Sequence, residues 1–154
     1  MSITTTTHLN FRGEARAALE FYQSVFGGEV TIATYGDFGM PKDIPGAENV
    51  VFGQVESAEG FRVMAYDIPG QSGGSAVTTG STHRENGTTV TDQSFFVSVR
   101  GESLVEVEGY WSALSVGASI IEPLAASAWS PGFGMLTDSF GVTWILDVAA
   151  AYTE

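Results

Sequence analysis

Leu9-Asn10-Phe11-Arg12-Gly13-Glu14-Ala15 is the stretch that decides the fold, because its Arg-Gly-Glu recurs as Arg100-Gly101-Glu102, an offset of 88 residues (Arg12 to Arg100). At that offset Tyr22 falls opposite Tyr110, Phe26 opposite Leu114 and Ile32 opposite Ile120. In each copy a strand-like segment leads into the tripeptide and a helical pattern leaves it. The first lead-in, Thr5 to Phe11, is rich in β-branched residues. The second, Phe95-Phe96-Val97-Ser98-Val99, reads as a strand. After the first tripeptide, Ala15, Ala18, Leu19, Tyr22, Val25 and Phe26 recur at three- and four-residue intervals, forming one helical stripe. Gly27-Gly28 then supplies a stop, since glycine enters the left-handed region cheaply. After the second, Ser103 and Glu106 have capping-box spacing. Val107, Tyr110, Trp111 and Leu114 form the stripe, and Gly117 ends it.

Three strand-like runs follow each helix. They are Val30 to Tyr35, Asn49 to Glu56 and Phe61 to Asp67 in the first half, with a hairpin turn at Ala58-Glu59-Gly60. In the second they are Ala118 to Glu122, Phe133 to Thr137 and Val142 to Val148, with turn chemistry at Asp138-Ser139-Phe140-Gly141. The pattern predicts an α+β fold of two βαβββ modules, about 1–68 and 94–150, within one domain spanning 1–154. A single module leaves an apolar sheet face bare, so two must pack together or pair with another chain. Between them lies a Gly/Ser/Thr-rich connection, about 69–93, containing Ser72-Gly73-Gly74-Ser75, His83, Arg84 and Asn86-Gly87. It reads as a linker, or as a lid or partner-contacting segment, with room for one short strand around Thr88 to Thr91.

Composition narrows the function classes. The 154 residues are 44% hydrophobic, and a domain of this size buries about 70% of its unfolded surface. The chain has no cysteine, which excludes disulfides, thiolate metal sites and a cysteine nucleophile. Six basic against eighteen acidic residues give a net charge of -12. Such a surface repels phosphate backbones and anionic lipid, so nucleic acid and membrane partners are not expected. No apolar run approaches the ~18 residues of a membrane span, and the start carries no basic, then apolar, leader pattern. The expectation is a soluble cytoplasmic protein. No GxGxxG follows a strand, and neither GxxxxGK[ST] nor HExxH occurs.

The chain resembles the vicinal oxygen chelate (glyoxalase/bleomycin resistance/dioxygenase) superfamily, in its PhnB-like branch, members of which are often labelled 3-demethylubiquinone methyltransferase. Leu9 to Ala15, Ala18-Leu19-Glu20-Phe21-Tyr22 and Val25-Phe26-Gly27-Gly28 carry the likeness at one end. Trp129, Phe133-Gly134-Met135, Thr137-Asp138, Phe140-Gly141-Val142 and Trp144 carry it at the other. The resemblance implies that each module forms half of an open, curved barrel around a ligand cavity. It also implies a homodimer, and a divalent metal at the cavity floor.

The metal positions implied by the resemblance fall near Thr6, Gln54, Ser94 and Ile145, and one plausible ligand in four does not satisfy a divalent ion. Phe52 stands where the branch often has histidine. A shifted set of His8, Gln54 or Glu56, and Asp147 shares strand faces with these positions and is the alternative; the reading favours no metal. The residues also offer nothing to hold S-adenosylmethionine, so methyl transfer is not expected.

Same-face alternation offers Phe52 with Gln54 and Met64 with Tyr66 as pocket residues, together with His8, Trp129, Met135 and Trp144. Trp129 sits in a loop composition, Ser127 to Gly132, and reads as a ligand wall. Two functions stand side by side. One is a glyoxalase-like enzyme, of lyase, isomerase or dioxygenase type, acting on a small organic molecule. The other is a metal-free binding protein that sequesters one, as bleomycin-resistance proteins do.

Overall fold

The computed structural model describes residues 2–71 and 81–150, so the Ser72 to Ser75 segment lies outside the described residues. The chain divides into two compact units, Met1–Ala76 and Val77–Glu154. Each contains a four-stranded sheet with the same topology.

In the first unit β1 (Thr7–Phe11) leads to α1 (Ala15–Phe26), then β2 (Glu29–Thr34), a 3-10 turn (Gly36–Phe38), β3 (Val50–Glu56) and β4 (Arg62–Asp67). The spatial order is β1-β4-β3-β2, with β1 parallel to β4 and the remaining pairs antiparallel. The helical stripe is the one read from spacing: Ala15, Ala18, Leu19, Tyr22, Val25 and Phe26 are all buried. At roughly 1.5–3 kcal/mol per large apolar side chain, that stripe is what holds the helix on the sheet. Phe26 stacks on Phe61, ring centroids 4.0 Å apart. Gly53 lets α1 come close, because a Cβ there would collide with Leu19 Cδ1 and lie 2.9 Å from the Ala65 carbonyl oxygen.

A carboxylate fixes the start of that helix. Asp67, 1% exposed, accepts the Gly13 and Ala15 amides on Oδ1 at 2.7 and 3.0 Å. Its Oδ2 accepts the Val50 amide at 2.9 Å, and its own carbonyl takes the Tyr35 hydroxyl at 2.7 Å. One side chain thus ties the helix N-terminus, where backbone donors lack partners, to the beginnings of β3 and the end of β4.

In the second unit a hairpin, β5 (Thr82–Glu85) and β6 (Thr88–Thr91), precedes β7 (Val97–Gly101), α2 (Leu104–Leu114), β8 (Ser119–Ala125), β9 (Phe133–Thr137) and β10 (Thr143–Val148). The order β7-β10-β9-β8 repeats the first sheet. Ser103 caps α2, its hydroxyl accepting the Glu106 amide at 3.3 Å, while the Glu106 carboxylate takes the Tyr110 hydroxyl. Val107 and Leu114 are buried. The helix again rests on glycines: a Cβ at Gly101 would lie 2.5 Å from Val107 Cγ2, and one at Gly134 2.7 Å from the Trp111 ring. Asp138 pins the β9–β10 turn, accepting the Phe140 and Val142 amides at 2.9 and 3.0 Å and the Trp144 indole N–H at 2.9 Å.

One expectation is corrected and another is extended. The second strand runs Val97–Gly101 rather than Phe95 to Val99, so Arg100-Gly101 lies inside a strand while Arg12-Gly13 follows one. The two copies of the tripeptide do different work. Gly13 has φ 103 and opens the turn into α1, whereas Gly101 makes room for Val107. Second, within the connection the short strand expected near Thr88 to Thr91 is β6, and it has an unforeseen partner in β5. Asn86 and Gly87, both at positive φ (51 and 75), are the two-residue turn between them.

Truncating the Asp67 carboxylate leaves buried amides unpaired, each lost charge-assisted bond being worth about 1.5–3 kcal/mol. Asp67→Ala is expected to cost about 3 kcal/mol or more in urea unfolding followed by circular dichroism; a loss below about 1 kcal/mol would remove Asp67 from this role.

Candidate functional site

Because side chains alternate across a strand, α1 takes only one face of the first sheet. Leu9, Phe11, Val55, Val63, Ala65 and Asp67 point to that face and are buried. The other face collects the remaining positions in register. One row crosses all four strands: His8 pairs with Met64, Met64 with Gln54, and Gln54 with Thr31. Two residues along, Asn10 pairs with Tyr66, and Phe52 with Ala33. Five expected pocket residues, His8, Phe52, Gln54, Met64 and Tyr66, therefore share one face of one sheet. Phe52 is 38% exposed, His8 and Asn10 are exposed, and Gln54, Met64 and Tyr66 are half-buried.

The polar groups on this face are oriented by one another. His8 Nδ1 lies 3.1 Å from Asn10 Oδ1; the amide oxygen can only accept, so Nδ1 is the donor and Nε2 is the ring nitrogen left for another partner. The His8 ring meets Tyr66 edge-on at 5.2 Å between centroids. Gln54 Nε2 donates to Glu56 Oε2 at 3.1 Å, and Glu56 Oε1 is 3.4 Å from Arg62 Nη1. Burial, with the neighbouring Tyr66 and Asp67 adding to it, pushes the Tyr35 hydroxyl above its ordinary value. Tyr35 therefore stays a protonated donor to the Asp67 carbonyl at neutral pH.

The second unit treats its corresponding face differently. Phe133, Met135, Thr143, Ile145 and Asp147 alternate away from α2, and the β5–β6 hairpin and the Gln93 that follows it make contacts there. Thr89 Oγ1 reaches Met135 Sδ at 3.5 Å, Thr143 Oγ1 donates to Gln93 Oε1 at 3.1 Å, and the Arg84 guanidinium lies over the Phe133 ring. Met135 is completely buried. Sequence reasoning missed this cover because Thr82, His83, Arg84 and Glu85 show no apolar alternation; the Asn-Gly turn was the available signal.

Trp129 lies on a loop as expected, 54% exposed and edge-on to Phe133 at 5.5 Å. The buried Ser130 hydroxyl ties that loop to the Gly132 and Val148 carbonyls, each at 2.7 Å. Trp144, considered for the pocket, is instead fully buried on the helix side with its indole N–H on Asp138.

Two of the donors considered for a metal, Asp147 and Glu56, have arginine partners. Thr6 and Ser94 precede their strands, and Ile145 is apolar. Asp147 is held by Arg100 through two bonds, at 3.0 and 2.9 Å, which compensates its charge, and Glu56 is paired with Arg62. Among the described residues no three His, Asp or Glu side chains converge on a metal-sized site. No helix among them is long and apolar enough to cross a membrane.

Two sheets of order β1-β4-β3-β2, each carrying one helix, place the chain in a known structural class. It shares the fold of a glyoxylase/bleomycin resistance protein/dioxygenase domain from Frankia sp. EAN1pec (12% identity, 97% of this chain and 98% of that one, TM-score 0.62). It is also similar to protein PA1353 from Pseudomonas aeruginosa (26% identity, 96% and 98% covered, TM-score 0.73). A PhnB protein from Bacillus cereus, named for a 3-demethylubiquinone-9 3-methyltransferase, is similar at 23% identity over 96% and 100% of the two chains, TM-score 0.65. No curated protein matches. The chain belongs to the family described as 3-demethylubiquinone-9 3-methyltransferase, whose model matches residues 3–146.

The two tryptophans give opposite expectations. Trp144→Ala opens a buried cavity and is expected to cost about 3–5 kcal/mol. Trp129→Ala loses an exposed edge contact worth about 0.5–1.5 kcal/mol. Comparable losses from the two in urea unfolding would place Trp129 in the core.

Proposed function

We propose that the chain binds a small organic molecule on the exposed face of the first sheet, with the aromatic and thioether groups of Phe52, Tyr66 and Met64 holding a flat apolar body. His8, Asn10 and Gln54 supply the polar contacts that orient it. The observation that carries the reading is the convergence of five pocket residues from three strands on one face, while the corresponding face of the second unit bears a hairpin. The superfamily's metal is not part of the proposal, because the donors are paired elsewhere. The family's methyltransferase description likewise lends no residue to this face. The function is therefore binding without metal chemistry. The His8–Asn10 contact favours a second reading, proton transfer to and from the ligand, since it occupies Nδ1 and leaves Nε2 as the ring nitrogen for the ligand.

Saturation-transfer NMR with a panel of aromatic amides, phenols and carboxylates tests the proposal. Binders should shift the His8 resonances, and Phe52→Ala and Gln54→Ala should each weaken them about tenfold, equivalent to about 1.4 kcal/mol. Prior dialysis against a chelator should leave affinity unchanged. Binding that survives both substitutions, or that disappears with the chelator, would contradict the proposal.

A further inference from the structure

The hairpin contributes a cation to the face it contacts, and the surroundings of that cation describe a site. Arg84, on β5, has its guanidinium carbon 5.2 Å from the Phe133 ring centroid. Its Nε stands 3.7 Å from Glu122 Oε2, with only 14% of the side chain exposed. Nη1 donates to Thr89 Oγ1 at 2.8 Å, within the hairpin itself. Nε is buried and, among the described residues, has no hydrogen-bond partner; Glu122 is close enough for an ion pair and too far for a bond. The walls, Glu122 on β8, Phe133 on β9 and Trp129 set edge-on to Phe133, belong to the sheet and its adjoining loop. The occupant comes from the hairpin, and it fills the site imperfectly.

An aromatic face beside a carboxylate is the surrounding that a planar, delocalised cation prefers. The chain's charge of -12 raises the local concentration of cations. We propose that Glu122, Phe133 and Trp129 form a binding site for a small organic cation of the guanidinium or amidinium class, and that Arg84 is its intramolecular occupant. A free cation then competes with the hairpin for the same place. One able to bond Glu122 directly gains the contact that Arg84 Nε lacks. This site is separate from the first-sheet face and stands independently of the function proposed for it.

The test uses benzamidine as the cation and benzamide as its neutral counterpart, titrated by calorimetry into the full chain. Arg84→Ala should bind benzamidine at least tenfold more tightly than the unsubstituted protein and should not bind benzamide. Adding Glu122→Gln to Arg84→Ala should remove that gain. Should Arg84→Ala fail to fold, Thr89→Val, which frees Nη1 while keeping the guanidinium, should show a smaller gain in the same direction. Equal benzamidine affinity with and without the substitution, retention after Glu122→Gln, or equal binding of benzamide would each overturn the proposal.

Discussion

A β-sheet has two faces, and in this protein each helix covers only one. The rest of the architecture depends on that constraint. In the first unit the face toward α1 takes Leu9, Val55, Val63 and Ala65, and Gly53 clears the space into which Leu19 packs. In the second, Gly101 and Gly134 do the same for Val107 and Trp111. These close approaches fix each helix to its sheet and leave a second set of alternating side chains on the opposite face. What meets that second face distinguishes the units. In one it is an aromatic and amide surface, in the other a surface in contact with a hairpin.

Buried carboxylates keep the loops from blurring this geometry. Asp67 gathers amides from the α1 entry and from β3, and Asp138 holds the β9–β10 turn against Trp144. Backbone donors at these points have no ladder partner, and a short carboxylate satisfies several at once. The aspartates stand on opposite ends of their sheets, so the units share topology without sharing pins. Repetition at the level of strand order therefore coexists with different local chemistry.

Much of this was legible in the residues. The apolar stripe of α1, the glycine stop after Phe26, the turn at Asp138 to Gly141 and the run Phe133–Thr137 follow directly from periodicity and turn chemistry. So do the same-strand pairs Phe52 with Gln54 and Met64 with Tyr66, since alternation alone decides them, whereas the register of Gln54 opposite Met64 puts both pairs on one face. The hairpin was only half legible. Its strands are polar, short and stabilised by pairing with each other and by contacts to the sheet, none of which leaves an apolar pattern. The shift of the second strand to Val97–Gly101 was hidden for a related reason. The Arg-Gly-Glu repeat suggested the same boundary twice, whereas glycine there serves a turn in one copy and helix packing in the other. The pairing of Asp147 with Arg100 is a cross-strand contact that depends on register, which the sequence leaves open to a one-residue slip.

The central claim is that the ligand face belongs to the first sheet and that the hairpin covers its counterpart. Met64 and Met135 report on these two faces, one half-exposed and one buried. Methyl spectra of methionine-labelled protein, recorded with a soluble paramagnetic agent and then with an aromatic fragment panel, read both directly. The account predicts strong broadening and fragment-induced shifts at Met64, with Met135 protected and unmoved. Equal broadening of the two methyls, or fragment shifts confined to Met135, would contradict it.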